Sequence, residues 1–262
     1  MATLRYVAIL SEKPEELAKF YRQFLLMKEV EKSEAGDISL TDGFYNVALF
    51  KRRAALREPR MEPGLHHIGL EVENIEEVKA RYFKFNPRGV VMAEPDDPHH
   101  GEVRIYDPEC NPVSLSAREF GIKKEACLPR IRHIAYNALD PERMLLFYTE
   151  VLGLRELPTS YARRQQGKLN RFAGDGFTNL AIHPFYSNIE GHEVRFGINH
   201  IGFLVADINA AMDSLSAVVS IKSRPANRPY AEFRFRDPEG NALDLSQTKG
   251  WEVDVNKWER AA

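Results

Sequence analysis

Four apolar stretches lie along the chain at similar intervals, and each is typical of a β-strand. They are LRYVAIL, LHHIGLEV, IRHIAYNA and INHIGFLV, beginning at residues 4, 65, 131 and 198. Each is followed by apolar residues at helical spacing and then by short β-rich stretches separated by turn residues. The pattern predicts a module of one strand, one helix and about three further strands, present four times.

Polar residues mark where three of the helices begin. Asp140 precedes Pro141, which combines an N-cap residue with a first-turn proline. Asn74 and Glu77 have the spacing of a capping box ahead of the second helix. Asp207 stands at the equivalent point before the fourth. These signals support helices in the predicted places.

The two halves of the chain repeat each other. FYRQFLLM at 20–27 returns as FYTEVLGL at 147–154, LHHIGLEV at 65–72 as INHIGFLV at 198–205, and DPECNPVSL at 107–115 as DPEGNALDL at 237–245. Three matches at a nearly constant offset indicate a tandem duplication. We therefore expect an α+β protein with domains at 1–120 and 128–247, linkers at 51–63 and 118–129, and a C-terminal tail at 248–262.

Composition narrows the class of protein. The 262 residues carry a formal net charge of −2, which gives no reason to expect a nucleic-acid partner. The two cysteines, Cys110 and Cys127, have no CxxC spacing, which argues against a disulfide scaffold or a zinc–thiolate site. The N-terminal stretch lacks the character of a signal peptide, and no apolar run approaches the length of a membrane span. We expect a cytoplasmic protein with no membrane partner.

The module order carries a family resemblance. Four such modules, with a DPEGN turn before the last strand and FYTEVLGL at the end of a helix, resemble the vicinal oxygen chelate superfamily. That group includes glyoxalase I, bleomycin-resistance proteins and type I extradiol dioxygenases; the layout here is closest to the two-domain extradiol dioxygenases. The resemblance covers residues 4 to 247 and implies four βαβββ modules paired into two tandem barrel-like domains. Its motifs are specific for the fold and weak for the reaction.

Three residues of the C-terminal half form a candidate metal site. His133 and His200 lie in predicted strands, and Asp244 alternates with two leucines, so its carboxylate faces away from them and needs a cation or hydrogen-bond donors. Two imidazoles and one carboxylate are the donors of the facial triad that binds Fe(II). The resemblance implies metal ligands on the first strand of one module and on the first and last strands of the next, which are these three positions.

The N-terminal half lacks two of those donors. Tyr6 stands at the position of His133, and Ser114 at the position of Asp244. Only His67 remains, at the position of His200, so we expect it to be a structural remnant and expect a metal site in the C-terminal half alone.

Several positions depart from the dioxygenase pattern. The family's carboxylate ligand is usually glutamate rather than aspartate. The place of its acid–base histidine falls at Thr178 or Asn179, and Arg234 stands where a tyrosine is usual. The remaining weak candidates are His183, Tyr230 and Arg234 for catalysis, and Thr178, Asn227, Arg228 and Tyr230 for binding substrate, with Arg224 in the same proline-rich loop. We expect the tail residues Trp251 and Trp258 to pack on the domain surface.

The function expected from the resemblance is that of an extradiol-type dioxygenase. It would use Fe(II), or else Mn(II) or another divalent metal, and act with O₂ on a catechol-like or related aromatic molecule, as a homo-oligomer. Two alternatives remain open. One is a metal-dependent isomerase, lyase or hydrolase of the glyoxalase type, with the ion as Lewis acid. The other is a metal-free protein that binds a small molecule, as the resistance proteins do.

Overall fold

A computed structural model describes residues 2–53, 62–94, 101–118, 128–157, 164–165, 168–185, 196–225 and 231–248, together with Trp251 and Val253. The strands of the N-terminal half are β1 (Thr3–Ser11), β2 (Lys28–Lys32), β3 (Ile38–Thr41), β4 (Asn46–Lys51), β5 (Gly64–Glu71), β6 (Met92–Ala93), β7 (Val103–Tyr106) and β8 (Pro112–Ser116). Those of the C-terminal half are β9 (Arg130–Ala138), β10 (Arg155–Glu156), β11 (Arg164–Gln165), β12 (Lys168–Leu169), β13 (Arg171–Gly174), β14 (Asn179–Pro184), β15 (Gly197–Leu204), β16 (Lys222–Ser223), β17 (Phe233–Arg236) and β18 (Ala242–Ser246).

One helix follows the first strand of each module. These are α1 (Pro14–Phe24), α2 (Ile75–Phe85), α3 (Pro141–Leu146), which continues into a π-helical turn (Phe147–Val151), and α4 (Ile208–Ser216). The predicted caps form: Asn74 accepts from the backbone N–H groups of Glu76 and Glu77, and Asp140 accepts from that of Arg143. The side chain of Asp207 caps α4 in the same way as Asn74 caps α2.

Each half forms one eight-stranded mixed sheet. The strand orders are β2-β3-β4-β1-β5-β8-β7-β6 and β10-β13-β14-β9-β15-β18-β17-β16, with β11 and β12 as a separate hairpin. In both sheets the first strands of the two modules pair antiparallel at the centre, and each lies parallel to the last strand of its own module. The α+β prediction of tandem duplicated domains is confirmed. The sheets are open rather than closed barrels: within the described residues, the two outer strands of each sheet, β2 and β6 or β10 and β16, do not pair with each other.

The halves share a buried core and fix each other through reciprocal hydrogen bonds. The backbone N–H of Ile131 donates to Asp42 Oδ2 at 2.7 Å, and that of Leu4 donates to Asp175 Oδ2 at 2.8 Å. These acids belong to equivalent Asp-Gly turns of the two halves. Each half therefore positions the first strand of the other, the strand that carries Tyr6 or His133.

Parts of the predicted organisation lie outside the described residues. These are most of both linkers, and all of the tail after residue 248 except Trp251 and Val253. Within the part of the chain that the structure describes, no helix is long and apolar enough to cross a membrane.

Candidate functional site

One row of cross-strand neighbours forms the base of the candidate site. Asn179, His133, Gly202, Asp244 and Arg234 are paired in register across β14, β9, β15, β18 and β17. Residues paired in register point to the same face of a sheet. Because the central member is glycine, the side chains of its two neighbours have space between them.

His200 adds a second imidazole to this face. It lies two residues before Gly202 on β15, and therefore on the same side of the strand. The rings of His133 and His200 have centroids 5.1 Å apart, and the two residues are 2% and 6% exposed. The structure thus brings together the two histidines that the sequence predicts as ligands.

Amide oxygens fix the tautomer of both histidines. Nδ1 of His133 donates to Oδ1 of Asn179 at 2.9 Å, and Nδ1 of His200 donates to Oδ1 of Asn199 at 2.8 Å. Since an amide oxygen only accepts, Nδ1 carries the proton and Nε2 keeps its lone pair. Asn199 and His200 are adjacent on β15. Their side chains meet where the register between β9 and β15 is irregular, between Ile198 and His200.

Burial keeps both imidazoles neutral. It lowers the pKa of His133 to about 4, against the opposing effects of Asp244 and Asn179. The pKa of His200 lies well below its usual range, first because of burial and then because of the positive charge of Arg234. Neutral imidazole is the form that binds a metal ion or accepts a hydrogen bond.

The carboxylate of Asp244 is held by Arg234. Nε of the arginine donates to Oδ1 at 2.5 Å and Nη2 donates to Oδ2 at 2.9 Å, and both side chains are buried. Oδ2 also lies 3.5 Å from Nε2 of His200. The aspartate is therefore next to the histidines as predicted, but with a guanidinium as its main partner.

His133, His200 and Asp244 carry the kinds of donor atom that bind divalent cations. Two neutral Nε2 atoms and a carboxylate are suitable ligands, and the Nδ1 contacts to amide oxygens are the supporting bonds usual around metal-binding histidines. Each carboxylate oxygen has two lone pairs, so the bonds from Arg234 leave Asp244 able to accept further. Among the residues described, however, no three His, Cys, Asp or Glu side chains are already spaced around one cation position. A cation would thus compete with Arg234 for Asp244.

The N-terminal half has the same row with two changes. Asn46, Tyr6, Gly69, Ser114 and Arg104 are paired in register across β4, β1, β5, β8 and β7. A phenol replaces the imidazole of His133, and a hydroxyl replaces the carboxylate of Asp244.

The phenol of Tyr6 fills the N-terminal site. Its hydroxyl lies 3.1 Å from Nε2 of His67, and its ring packs edge-on to that imidazole. Arg104, the counterpart of Arg234, pairs instead with Glu94 at 2.5 Å. His67 is thus engaged by a neighbouring side chain of its own half.

Trp251 lies in the C-terminal site rather than on the domain surface. Its indole stacks on the imidazole of His133, with centroids 4.9 Å apart and planes 9° apart, and the residue is 5% exposed. The expectation that it packs on the surface is wrong, because its indole fills the space above Gly202, where no side chain stands. Trp258 lies outside the described residues.

The weaker candidates have different positions. The ring of His183 is nearly parallel to that of His200, with centroids 6.3 Å apart, which places it beside the site. Arg224 is close enough for its charge to lower the pKa of both buried histidines. Thr178 is fully buried in the turn before β14, where its backbone N–H donates to Asp175, so a ligand cannot reach it without rearrangement. Asn227, Arg228 and Tyr230 lie outside the described residues.

Asn199 was missed from the sequence, and Trp251 was considered but expected elsewhere. Asn199 directly precedes His200, and adjacent strand residues normally point to opposite faces. Trp251 follows the last strand without a periodic pattern that would place it. The apolar character of an isolated tryptophan in a polar tail was the available signal for its burial.

The sequence comparison gives the family, and the structure comparisons give proteins of similar fold. The sequence pattern of the Glyoxalase/Bleomycin resistance protein/Dioxygenase superfamily matches residues 3–115 and 130–245. The fold is similar to that of the 2,3-dioxygenase LapB from Pseudomonas sp. KL28, with a TM-score of 0.71 and 14% identity over 97% of this chain and 94% of that one. It is also similar to the Mn(II)-bound glyoxalase from Novosphingobium aromaticivorans, with a TM-score of 0.71 and 18% identity over 97% and 84% of the two chains. An extradiol ring-cleaving dioxygenase from B. fuscum gives a TM-score of 0.67 and 15% identity over 97% and 74%. No curated protein matches the sequence.

Proposed function

The chain belongs to the Glyoxalase/Bleomycin resistance protein/Dioxygenase superfamily, and on that premise we propose that its C-terminal half is a metal-dependent enzyme site for a small aromatic molecule. His133, His200 and Asp244 are the proposed ligands. One observation carries the proposal: two buried neutral imidazoles, each held at Nδ1 by an amide oxygen, keep their Nε2 lone pairs on the sheet face that also carries Asp244, whose Oδ2 lies 3.5 Å from Nε2 of His200. Histidines buried only for packing have no need of this shared orientation.

The charges around the site favour an anionic or phenolic substrate. Arg224 and Arg234 place two guanidinium groups near the histidines, while Asp244 supplies one carboxylate. A phenolate or carboxylate of the substrate would offset this positive charge. His183, which lies beside His200, is our candidate for holding or moving a proton.

We propose an extradiol-type dioxygenase as the specific reaction, with Fe(II) and O₂. A divalent ion at these ligands would supply Lewis-acid chemistry and, in the case of iron, activation of O₂. The protein's own residues would bind and orient the aromatic ring and exclude water. The similarity to two dioxygenases supports this choice, whereas the Mn(II)-bound glyoxalase supports a lyase or isomerase on the same ligands.

The ion pair between Arg234 and Asp244 favours a second candidate, a metal-free protein that binds a small anionic aromatic molecule. In that case the guanidinium is the permanent partner of the carboxylate, and the two imidazoles bind the ligand by hydrogen bonds. Removing the charge of Asp244 separates the two candidates, because a metal site depends on that charge and a hydrogen-bonding site does not.

The test combines metal loading with this substitution. The protein would be purified without oxygen and loaded with Fe(II); its metal content would be measured, followed by O₂ uptake with a panel of catechols. We expect a single ion per chain and O₂ uptake in the wild type, and loss of both in Asp244→Asn. Retention of metal and activity by Asp244→Asn would remove Asp244 from the ligand set; absence of metal from the wild type would favour the binding protein.

A further inference from the structure

An aromatic ring covers the central glycine of the row in each half. A β-carbon on Gly69 would lie 1.8 Å from Cε1 of Tyr6, and a β-carbon on Gly202 would lie 2.5 Å from Cη2 of Trp251. Real β-carbons do not approach other atoms so closely, so in both halves the absence of a side chain makes room for a ring. Both halves therefore have, above the central glycine, a space that holds an aromatic ring.

The two rings reach that space by different routes. Tyr6 belongs to the central strand β1 and is fixed by its backbone pairing on both sides. Trp251 comes from beyond the last strand, and the tail residues described there, 247, 248, 251 and 253, belong to no helix or strand. Tyr6 is held in place by the strand pairing of β1, whereas moving Trp251 unpairs none of the strands that the structure describes.

The N-terminal half also shows which chemistry suits the space. There the ring is a phenol, and its hydroxyl lies 3.1 Å from Nε2 of His67. The counterpart of that nitrogen is Nε2 of His200, which carries no proton, while an indole at Trp251 has no hydroxyl to offer. A phenol placed over Gly202 would add a hydrogen bond that the indole lacks.

We propose that Trp251 is an intramolecular occupant of an aromatic subsite above Gly202, and that a planar aromatic ligand bearing a hydroxyl displaces it to bind. The proposal rests on the proposed function in one respect, that the ligand site lies in the C-terminal half. It assigns the tail a role in affinity. Only protein molecules in which Trp251 is displaced can bind the ligand, so the apparent affinity equals the intrinsic affinity multiplied by the fraction of such molecules.

Calorimetry with phenol tests this competition. Trp251→Ala vacates the subsite, and we expect it to bind phenol at least about tenfold more tightly than the wild type if the displaced state is a minor one. Trp258→Ala, from the same tail, is the control and should bind as the wild type does. Cyclohexanol, which has the hydroxyl without the planar ring, should gain little from Trp251→Ala. Equal or weaker phenol binding by Trp251→Ala, including no binding to either protein, would overturn the proposal.

Fluorescence gives a second test that keeps Trp251 in place. The chain has two tryptophans, so Trp258→Phe leaves Trp251 as the sole indole emitter. With excitation selective for tryptophan, phenol should shift its emission to longer wavelength and raise its quenching by acrylamide, and cyclohexanol should do neither. Adding Gly202→Ala should produce the same shift without ligand, since the new methyl takes the place of the indole. An unchanged emission in both experiments would contradict the proposal, even if Trp251→Ala failed to fold.

Metal content separates this proposal from the proposed function. If the wild type holds no metal but Trp251→Ala still gains affinity for phenol, the enzyme proposal fails and the subsite stands. If the metal is present and Trp251→Ala gains nothing, the subsite proposal fails and the metal site stands.

Discussion

Arg234 and Asp244 form a buried two-bond ion pair in which one carboxylate oxygen, Oδ2, also lies 3.5 Å from Nε2 of His200. The same oxygen is thus within reach of a guanidinium and of the proposed cation. A second positive charge nearby weakens the attraction of the carboxylate for a metal ion. Arg234 would therefore weaken the binding of a metal ion at the proposed site.

Arg234→Gln should strengthen metal binding. Without its partner the buried carboxylate is uncompensated, which costs about 3–5 kcal/mol of stability in the metal-free protein. A bound cation restores the missing charge, so Mn²⁺ should raise the melting temperature of the variant more than that of the wild type. Thermal melts with and without MnCl₂ measure this difference. A variant destabilised equally in both conditions would mean that Asp244 does not reach the metal.

Asn179→Ala should weaken metal binding without removing a ligand. The amide oxygen of Asn179 holds Nδ1 of His133 and thereby aims Nε2. Losing such a supporting bond typically lowers metal affinity about 10–100-fold. Asn46 occupies the equivalent place beside Tyr6, so Asn46→Ala is the matched control and should leave the affinity unchanged. Titration of both variants with Mn²⁺ measures the two affinities. Equal affinities for Asn179→Ala and Asn46→Ala would show that Asn179 only fills space.

Tyr21→Phe should cost more stability at high pH than at low pH. The hydroxyl of Tyr21 donates to Oδ2 of Asp237 at 3.1 Å, and burial raises the pKa of that carboxyl to about 6. A raised pKa means that the carboxyl's contribution to stability is present at low pH and is lost as pH rises through about 6. A hydrogen bond to the ionised form is worth about 1.5–3 kcal/mol, against about 0.5–1.5 kcal/mol for the neutral form.

Urea unfolding of the wild type and Tyr21→Phe at pH 5 and pH 8 measures this cost. Subtracting the wild type at each pH removes the contribution of the buried histidines, which both proteins share. The prediction fails if the cost at pH 5 equals or exceeds that at pH 8.

The duplicated pattern was enough to predict the modules and the half that carries the two histidines. Apolar periodicity and caps are local signals, and the repeat adds a comparison of equivalent positions, such as Tyr6 with His133. The partner of Asp244 was not predictable in the same way. From the sequence, Arg234 was a departure from the family and a weak catalytic candidate, and its pairing with Asp244 was only one open alternative, because the register of β17 against β18 is a property of the folded sheet. Trp251 was placed wrongly because nothing in an aperiodic tail encodes where it returns.

The most direct test of the proposed metal site is the metal content of the wild type, His67→Gln and His200→Gln after anaerobic loading with Fe(II). His67 and His200 occupy equivalent positions in the two halves, opposite Ala8 and Ala135. His67 lies against Tyr6, whereas His200 lies beside Asp244, so the same substitution tests the two halves separately. The wild type and His67→Gln should each hold a single ion per chain, and His200→Gln should hold none. Metal retained by His200→Gln, or lost from His67→Gln, would contradict the assignment of the metal site to the C-terminal half.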